Sequence, residues 1–230
     1  MNRIFVAAAA LSFALGAYTT QAAADPIIVT DVEVPLREII TLNTPVSVSA
    51  YVGQIVLTTT TGAIIPAWCI DLYHDVGVGG GQNLHYETGP IITDNSGNGG
   101  TGRSLSPLQL DEMAGLITYG DALLAGGGTA AESAAIQLAI WSVEYAGFSF
   151  SGASADALAE FNKLVTMASD LHGSAEELQA LDGQQSFAHD PPPVPEPGSL
   201  LLLGTAVLGL GFFVCRRESN RPAPKRHSAA

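Results

Sequence analysis

Cationic side chains are the scarcest class in this 230-residue chain, and most of those present lie at its ends. Of nine Lys and Arg, Arg3 is near the start, while Arg216, Arg217, Arg221, Lys225 and Arg226 are near the finish. Between Asp25 and Asp190 only Arg37, Arg103 and Lys163 stand against twenty acidic residues, a net of −17. Nucleic acid is therefore not an expected partner, because phosphate backbones are held by Lys and Arg on the contact face. The acidity is read instead as the solubilising charge of an exported domain. Cysteine is rare as well: Cys69 and Cys215 are the only two, and the second ends an apolar segment beside Arg216. No disulfide framework follows from that count, and one unpaired thiol is left in the exported region. The Gly-rich stretches lack a Gly-Lys-Ser/Thr ending and a Gly-x-Gly-x-x-Gly between strand and helix, so they form no nucleotide cradle. Asp71, His74, Asp75 and His85 are metal-ligand types, but their spacing matches no metal motif, and neither metal nor cofactor is expected. A hydrolase using His74 or His85 lacks a nucleophile and base pattern.

What is present divides the chain by composition. Residues 1–24 combine Arg3, an apolar run from Ile4 to Tyr18 and Ala22-Ala23-Ala24, the plan of a secretory signal peptide. Residues 25–189 form the folded domain, long enough for one sizeable core. From Ile27 to Ile70, short Val-, Ile- and Thr-rich runs broken at Pro35, Asn43-Thr44-Pro45, Gly53 and Gly62 predict four or five antiparallel strands. Cys69 ends the last of them, and Pro66 marks an edge or a bend. Val76 to Gly102 is Gly-rich and reads as a functional loop or a hairpin with loose ends.

The period then changes to that of helices. Ser106-Pro107 opens one that stops at the glycines 126–128. Thr129 to Glu132 is a capping box for a second that runs to Tyr145. Ser154 to Leu171 is a third, and Ser174 to Leu181 a shorter fourth. Strands followed by helices predict an α+β domain, an antiparallel β-sandwich or barrel closed by a small helical layer.

Two apolar stretches carry the chemistry, Ala67 to Tyr73 (AWCIDLY) and Ala135 to Tyr145 (AIQLAIWSVEY). A thiol and a primary amide are the two halves of an internal thioester: the Cys69 sulfur attacks the Gln137 side-chain carbonyl and ammonia leaves. An unactivated amide reacts in this way only when nucleophile and carbonyl are locked together in a dry site. Helical spacing puts Gln137, Trp141 and Glu144 on one stripe, with Trp141 placed to shield the carbonyl. The segments Trp68-Cys69-Ile70-Asp71 and Ile136 to Trp141 resemble the two signatures of the thioester domain family of bacterial surface adhesins. That resemblance implies a Cys69–Gln137 crosslink, with Trp68, Asp71 and Trp141 in support, and covalent attachment to a nucleophile-bearing surface target. Such a protein modifies itself once and is not an enzyme. Cys69→Ala or Gln137→Ala is expected to abolish the bond and leave the fold. The alternative is a non-covalent envelope or exopolysaccharide-associated protein with a free buried Cys.

The C-terminal region is organised for delivery. Residues 190–198, DPPPVPEPG, form a stiff Pro-rich stalk. Ser199 to Cys215 is seventeen residues without a charge, about 25 Å of helix and enough for a short membrane span. The basic tail 216–230 fixes that end in the cytoplasm. Val194, Pro195, Glu196, Pro197 and Gly198, the apolar span and Arg216-Arg217 together resemble the PEP-CTERM sorting signal of Gram-negative bacteria. The resemblance implies processing by an exosortase: inner-membrane anchoring first, then display on the envelope or cell surface.

Overall fold

Short Val-, Ile- and Thr-rich runs divided by Pro, Asn and Gly set the strands in the first half of the chain. A computed structural model describes residues 26–91 and 104–191. Strands β1 (Ile27–Glu33), β2 (Arg37–Thr44), β3 (Val48–Gly53), β4 (Ile55–Thr59) and β5 (Ile64–Cys69) follow one another, within the expected four or five. In β2 the period of two is plain, with Ile40 and Leu42 buried and Ile39 facing outward. The first part of the Gly-rich stretch is neither loop nor hairpin. It is β6 (Gly79–Gly89), which pairs with β1 across a bulge between Val29 and Asp31.

Three helices follow: α1 (Pro107–Ala125), α2 (Ala130–Glu144) and α3 (Ala155–Met167), the last continued by a 3-10 turn at Ala168–Asp170. The local signals work as the sequence predicts. Ser106 and Gln109 cap α1 reciprocally, and Thr129 and Glu132 do the same for α2, so orphan N–H groups at both helix starts have partners. Three short strands complete the set, β7 (Ser149–Ser151), β8 (Glu176–Ala180) and β9 (Phe187–His189).

The fourth helix expected at Ser174 to Leu181 is not formed. Its composition favours helix, but β8 is held between β6 and β9 with Leu178 fully buried, and tertiary pairing overrides the local preference. With β9 in place, six antiparallel strands close a barrel in the order β1-β4-β5-β9-β8-β6. A separate three-stranded sheet, β3-β2-β7, stands beside it. The sandwich-or-barrel expectation therefore resolves to a barrel, with an extra sheet and three helices.

Helix α2 joins these layers. Its Ala134, Leu138 and Trp141 belong to the core of the barrel and small sheet, while Ala135, Ile136, Ala139 and Ile140 belong to a second core with α1 and α3. A helix that is apolar all round is one buried on every side. Ser133 Oγ accepts the Gln54 N–H at 2.7 Å, fixing its first turn to the link between β3 and β4. On α1, Gly120 leaves room for the Trp68 ring: a Cβ there would lie 2.7 Å from Trp68 Cζ2. Asp121 accepts the Trp68 indole N–H at 2.9 Å and the Gln54 amide at 2.7 Å. Among the described residues no helix is long and apolar enough to cross a membrane. The expected span 199–215, the leader 1–24, the Val194–Gly198 motif and the tail 216–230 lie outside the described residues.

Two predictions follow from this packing. Gly120→Ala should cost about 1–3 kcal/mol by overpacking against Trp68 and Ile136, read as a lower denaturant midpoint at unchanged slope. The second concerns His189 in β9, whose imidazole is held below its ordinary value by burial, with the Asp190 backbone and nearby carboxylates opposing only in part. A depressed folded-state value means that the unfolded chain binds the proton more readily. Stability is then full above the ordinary value of 6.5 and falls as pH drops through the lower folded-state value. Denaturation midpoints from pH 7.5 downward should show this loss, with a smaller slope in His189→Gln.

Candidate functional site

Strand β5 outlasts its neighbour. Its pairing with β4 ends where Ile55 faces Ala67, and β9 on the other side reaches only Trp68 and Cys69. Pro66 accordingly falls where β5 has only β4 beside it, so its missing N–H interrupts no described ladder. Beyond Ala67 the backbone groups of Cys69 on the β4 side need another partner, and a side chain of α2 supplies it. Gln137 Oε1 accepts the Cys69 N–H at 2.9 Å, and Gln137 Nε2 donates to the Cys69 carbonyl at 2.8 Å. The carboxamide thus imitates one residue of a pairing strand, exchanging both bonds with one peptide position. Gln137 is 1 % and Cys69 3 % exposed, so water does not compete.

Two turns along α2, Tyr145 continues the pattern. Its hydroxyl donates to the Ile70 carbonyl at 3.0 Å and accepts the Leu72 N–H at 3.2 Å. Burial, reinforced by the Glu144 carboxylate, pushes the phenol far up, so it stays protonated as the donated bond requires. Asp71 closes the turn after β5. Its Oδ1 accepts the Tyr73 and His74 N–H groups at 3.0 and 3.2 Å, and its Oδ2 holds His74 Nδ1 at 2.6 Å.

The sulfur lies between these anchors. Cys69 Sγ donates to the Asp71 carbonyl at 3.3 Å and accepts from Gln185 Nε2 at 2.8 Å, and the same Gln185 amide reaches the Asp71 carbonyl at 3.0 Å. Burial pushes the thiol well above its ordinary value, and the charges of Asp71 and Glu144 push the same way. Hydrogen bonding at the Asp71 backbone and the nearby Trp141 indole only partly oppose this. The indole N–H favours the ionised sulfur without meeting hydrogen-bond geometry to any acceptor among the described residues. A freely reactive thiolate is therefore not the resting state here, and chemistry at this sulfur starts from the thiol.

Cys69, Gln137, Trp141 and Gln185 open onto one cavity of about 630 Å³. Its walls include Leu42 and Ile55 from the strands, Val34 from the link between β1 and β2, and Tyr73, His74 and Val76 from the loop after β5. Val48, Tyr51 and Val78, each about half exposed, also line it. A buried amide and thiol thus meet a mostly apolar chamber that can admit a small group.

The fold brings together Cys69, Gln137, Asp71 and Trp141 among the residues singled out by sequence. Trp68 is near in sequence but packs with the α1 and α3 core, supporting the strand from behind. Asp71 and His74 form a pair, whereas His85 is bound to Asp182 at 2.8 Å. Among the described residues no three His, Cys, Asp or Glu cluster as metal ligands. Sequence reasoning missed Gln185, which stands in a polar turn with no periodic or motif signal, and Tyr145, which is legible only as the end of a helix.

The two carboxamide bonds make Gln137 a structural residue, which corrects the expectation that its truncation leaves the fold untouched. Gln137→Ala strands a buried N–H and C=O at Cys69 and should cost about 2–5 kcal/mol in chemical denaturation. Tyr145→Phe should cost about 1–3 kcal/mol for the same reason one residue further on.

No curated protein and no solved structure matches the chain. The resemblance of the Cys69 and Gln137 stretches to thioester domains rests on those residues alone. At the other end residues 193–217 match the PEP-CTERM protein-sorting motif, covering Val194–Gly198, the apolar run and Arg216-Arg217. That motif marks the protein as an exported, exosortase-sorted protein whose membrane-anchored sorting signal precedes its display at the cell surface.

Proposed function

We propose that the exported domain carries an internal thioester between Cys69 and Gln137 and uses it for covalent attachment to an amine- or hydroxyl-bearing surface target. The observation that carries this reading is the reciprocal pairing of the Gln137 carboxamide with the backbone of Cys69 in a buried site. In the formation step Sγ bonds to Gln137 Cδ, the C–N bond breaks, and the thiol proton departs with the amide nitrogen as ammonia. The Cys69 N–H already donates to Oε1, where negative charge develops as the sulfur adds, so stabilisation is in place before reaction. Burial disfavours the thiolate but not the thioester, which is neutral. An incoming amine or alcohol then takes the acyl group, leaving an amide or ester at Gln137 and a thiol at Cys69. This happens once per molecule, so the protein is not an enzyme. Residues 199–215 hold the chain in the membrane until the exosortase acts.

A second reading, a non-covalent envelope or exopolysaccharide-associated protein, is favoured by the depth at which the thiol is buried and kept protonated. One measurement separates the two. Intact-mass analysis of the leader-cleaved protein should find it lighter by one ammonia than the mass of that same sequence, and incubation with methylamine should add one methylamine. Cys69→Ala should show neither change. Full mass, with an iodoacetamide-reactive thiol on unfolding and no response to methylamine, would establish the non-covalent reading.

A further inference from the structure

We propose that His74, held by Asp71, is the general base that directs the acyl group of Gln137 to hydroxyl nucleophiles. The inference rests on the thioester reading above and names the class of target. Asp71 is 2 % exposed and bound to two backbone N–H groups, so its carboxylate is fixed in place. Its Oδ2 lies 2.6 Å from His74 Nδ1. With the proton of the neutral ring on Nδ1, Nε2 carries the lone pair, the arrangement in which a buried carboxylate sets the tautomer of a working base. His74 lines the cavity that contains Cys69 and Gln137, and its side chain retains some exposure to solvent. It is not bonded to the sulfur, whose partners are the Asp71 carbonyl and Gln185. The imidazole thus belongs to the same cavity as the acyl group without being committed to the sulfur of Cys69.

Chemistry supplies the specificity. A neutral alcohol is a poor nucleophile toward a thioester unless its proton is removed as it attacks. Nε2 takes that proton while the alcohol oxygen bonds to Gln137 Cδ and the C–S bond breaks. The proton then passes to the departing sulfur, giving an ester at Gln137 and a thiol at Cys69. A weakly basic amine such as hydroxylamine is already unprotonated and nucleophilic near neutral pH and needs no such help. An oriented base on the cavity wall therefore matters most for a hydroxyl-bearing partner, a glycan or polyol.

The test uses full-length wild type and His74→Gln, each checked by intact mass for loss of ammonia and then incubated with glycerol or with hydroxylamine. Wild type should capture both. His74→Gln should retain the ammonia loss and react with hydroxylamine within about twofold of wild type, while glycerol capture falls by about a hundredfold. Asp71→Asn, which keeps an acceptor for the two backbone N–H groups, should shift the partition in the same direction and serves if His74→Gln fails to fold. Equal loss of both reactions, or glycerol capture undiminished in the variants, overturns the role of His74 and leaves the thioester reading standing. Absence of ammonia loss in wild type overturns both.

Discussion

A strand that runs past its neighbour into a dry core needs a partner for its backbone, and here a single carboxamide provides one. Leaving the Cys69 N–H and C=O unpaired in that setting would cost a few kcal/mol, a large part of the stability of a domain this size. The Gln137 bonds at 2.9 and 2.8 Å remove that cost, but only if the helix carrying Gln137 lies against the barrel wall at the end of β5. The course of α2 follows from this. It is wedged between two cores, with Ala134, Ala135 and Ala139 allowing close approach on both sides. Tyr145, which caps the end of that helix, adds bonds to the Ile70 carbonyl and the Leu72 N–H, while Ser186 and Gln185 take the Ile70 N–H and the Asp71 carbonyl.

Legibility in the sequence tracked how local each determinant is. The Ser106-Pro107 start of α1 and the Thr129–Glu132 capping box of α2 are each written within a few residues, and both helix starts could be read directly. The pairing of Cys69 with Gln137 was approached through the chemistry of two distinctive residues, since a separation of 68 positions leaves no periodic trace. Non-local pairing defeated the same reasoning at β8, where helix-favouring Ala, Glu and Leu are held as a strand by β6 and β9. Strand β9 has only three residues, too few for alternation to register, yet it closes the barrel. Gln185 depends on β9 in turn, because only barrel closure carries its amide to the sulfur.

The bonds that stabilise the site also limit its chemistry. A thiol held protonated by burial and two nearby carboxylates is poorly suited to repeated turnover as a thiolate nucleophile. An acyl trap has different needs: a neutral resting state, an oxygen with a donor already aimed at it, and a chamber that admits a nucleophile in small numbers. The Cys69 N–H on Oε1 and the mostly apolar cavity meet the last two. Aqueous access works against such a trap, since water is itself a nucleophile, and the buried Trp141 ring in the cavity wall reduces that access.

The order of the chain adds a constraint on when the site can exist. Cys69 and Gln137 precede β9, but the sulfur acquires the Gln185 contact only after the chain through Phe187 has paired with β5 and β8. An exported chain that emerges from its N-terminus therefore completes this site last, next to its sorting segment. The join between the two is pinned on the domain side, where Asp190 accepts from Ser174 Oγ at 2.9 Å and from Thr118 Oγ1 at 3.1 Å. These bonds hold the residue after β9 to α1 and to the approach to β8, and the sorting match begins at residue 193. The motif lies beyond these bonds in the chain, so processing there leaves the Asp190 contacts and the pairing of β9 in place.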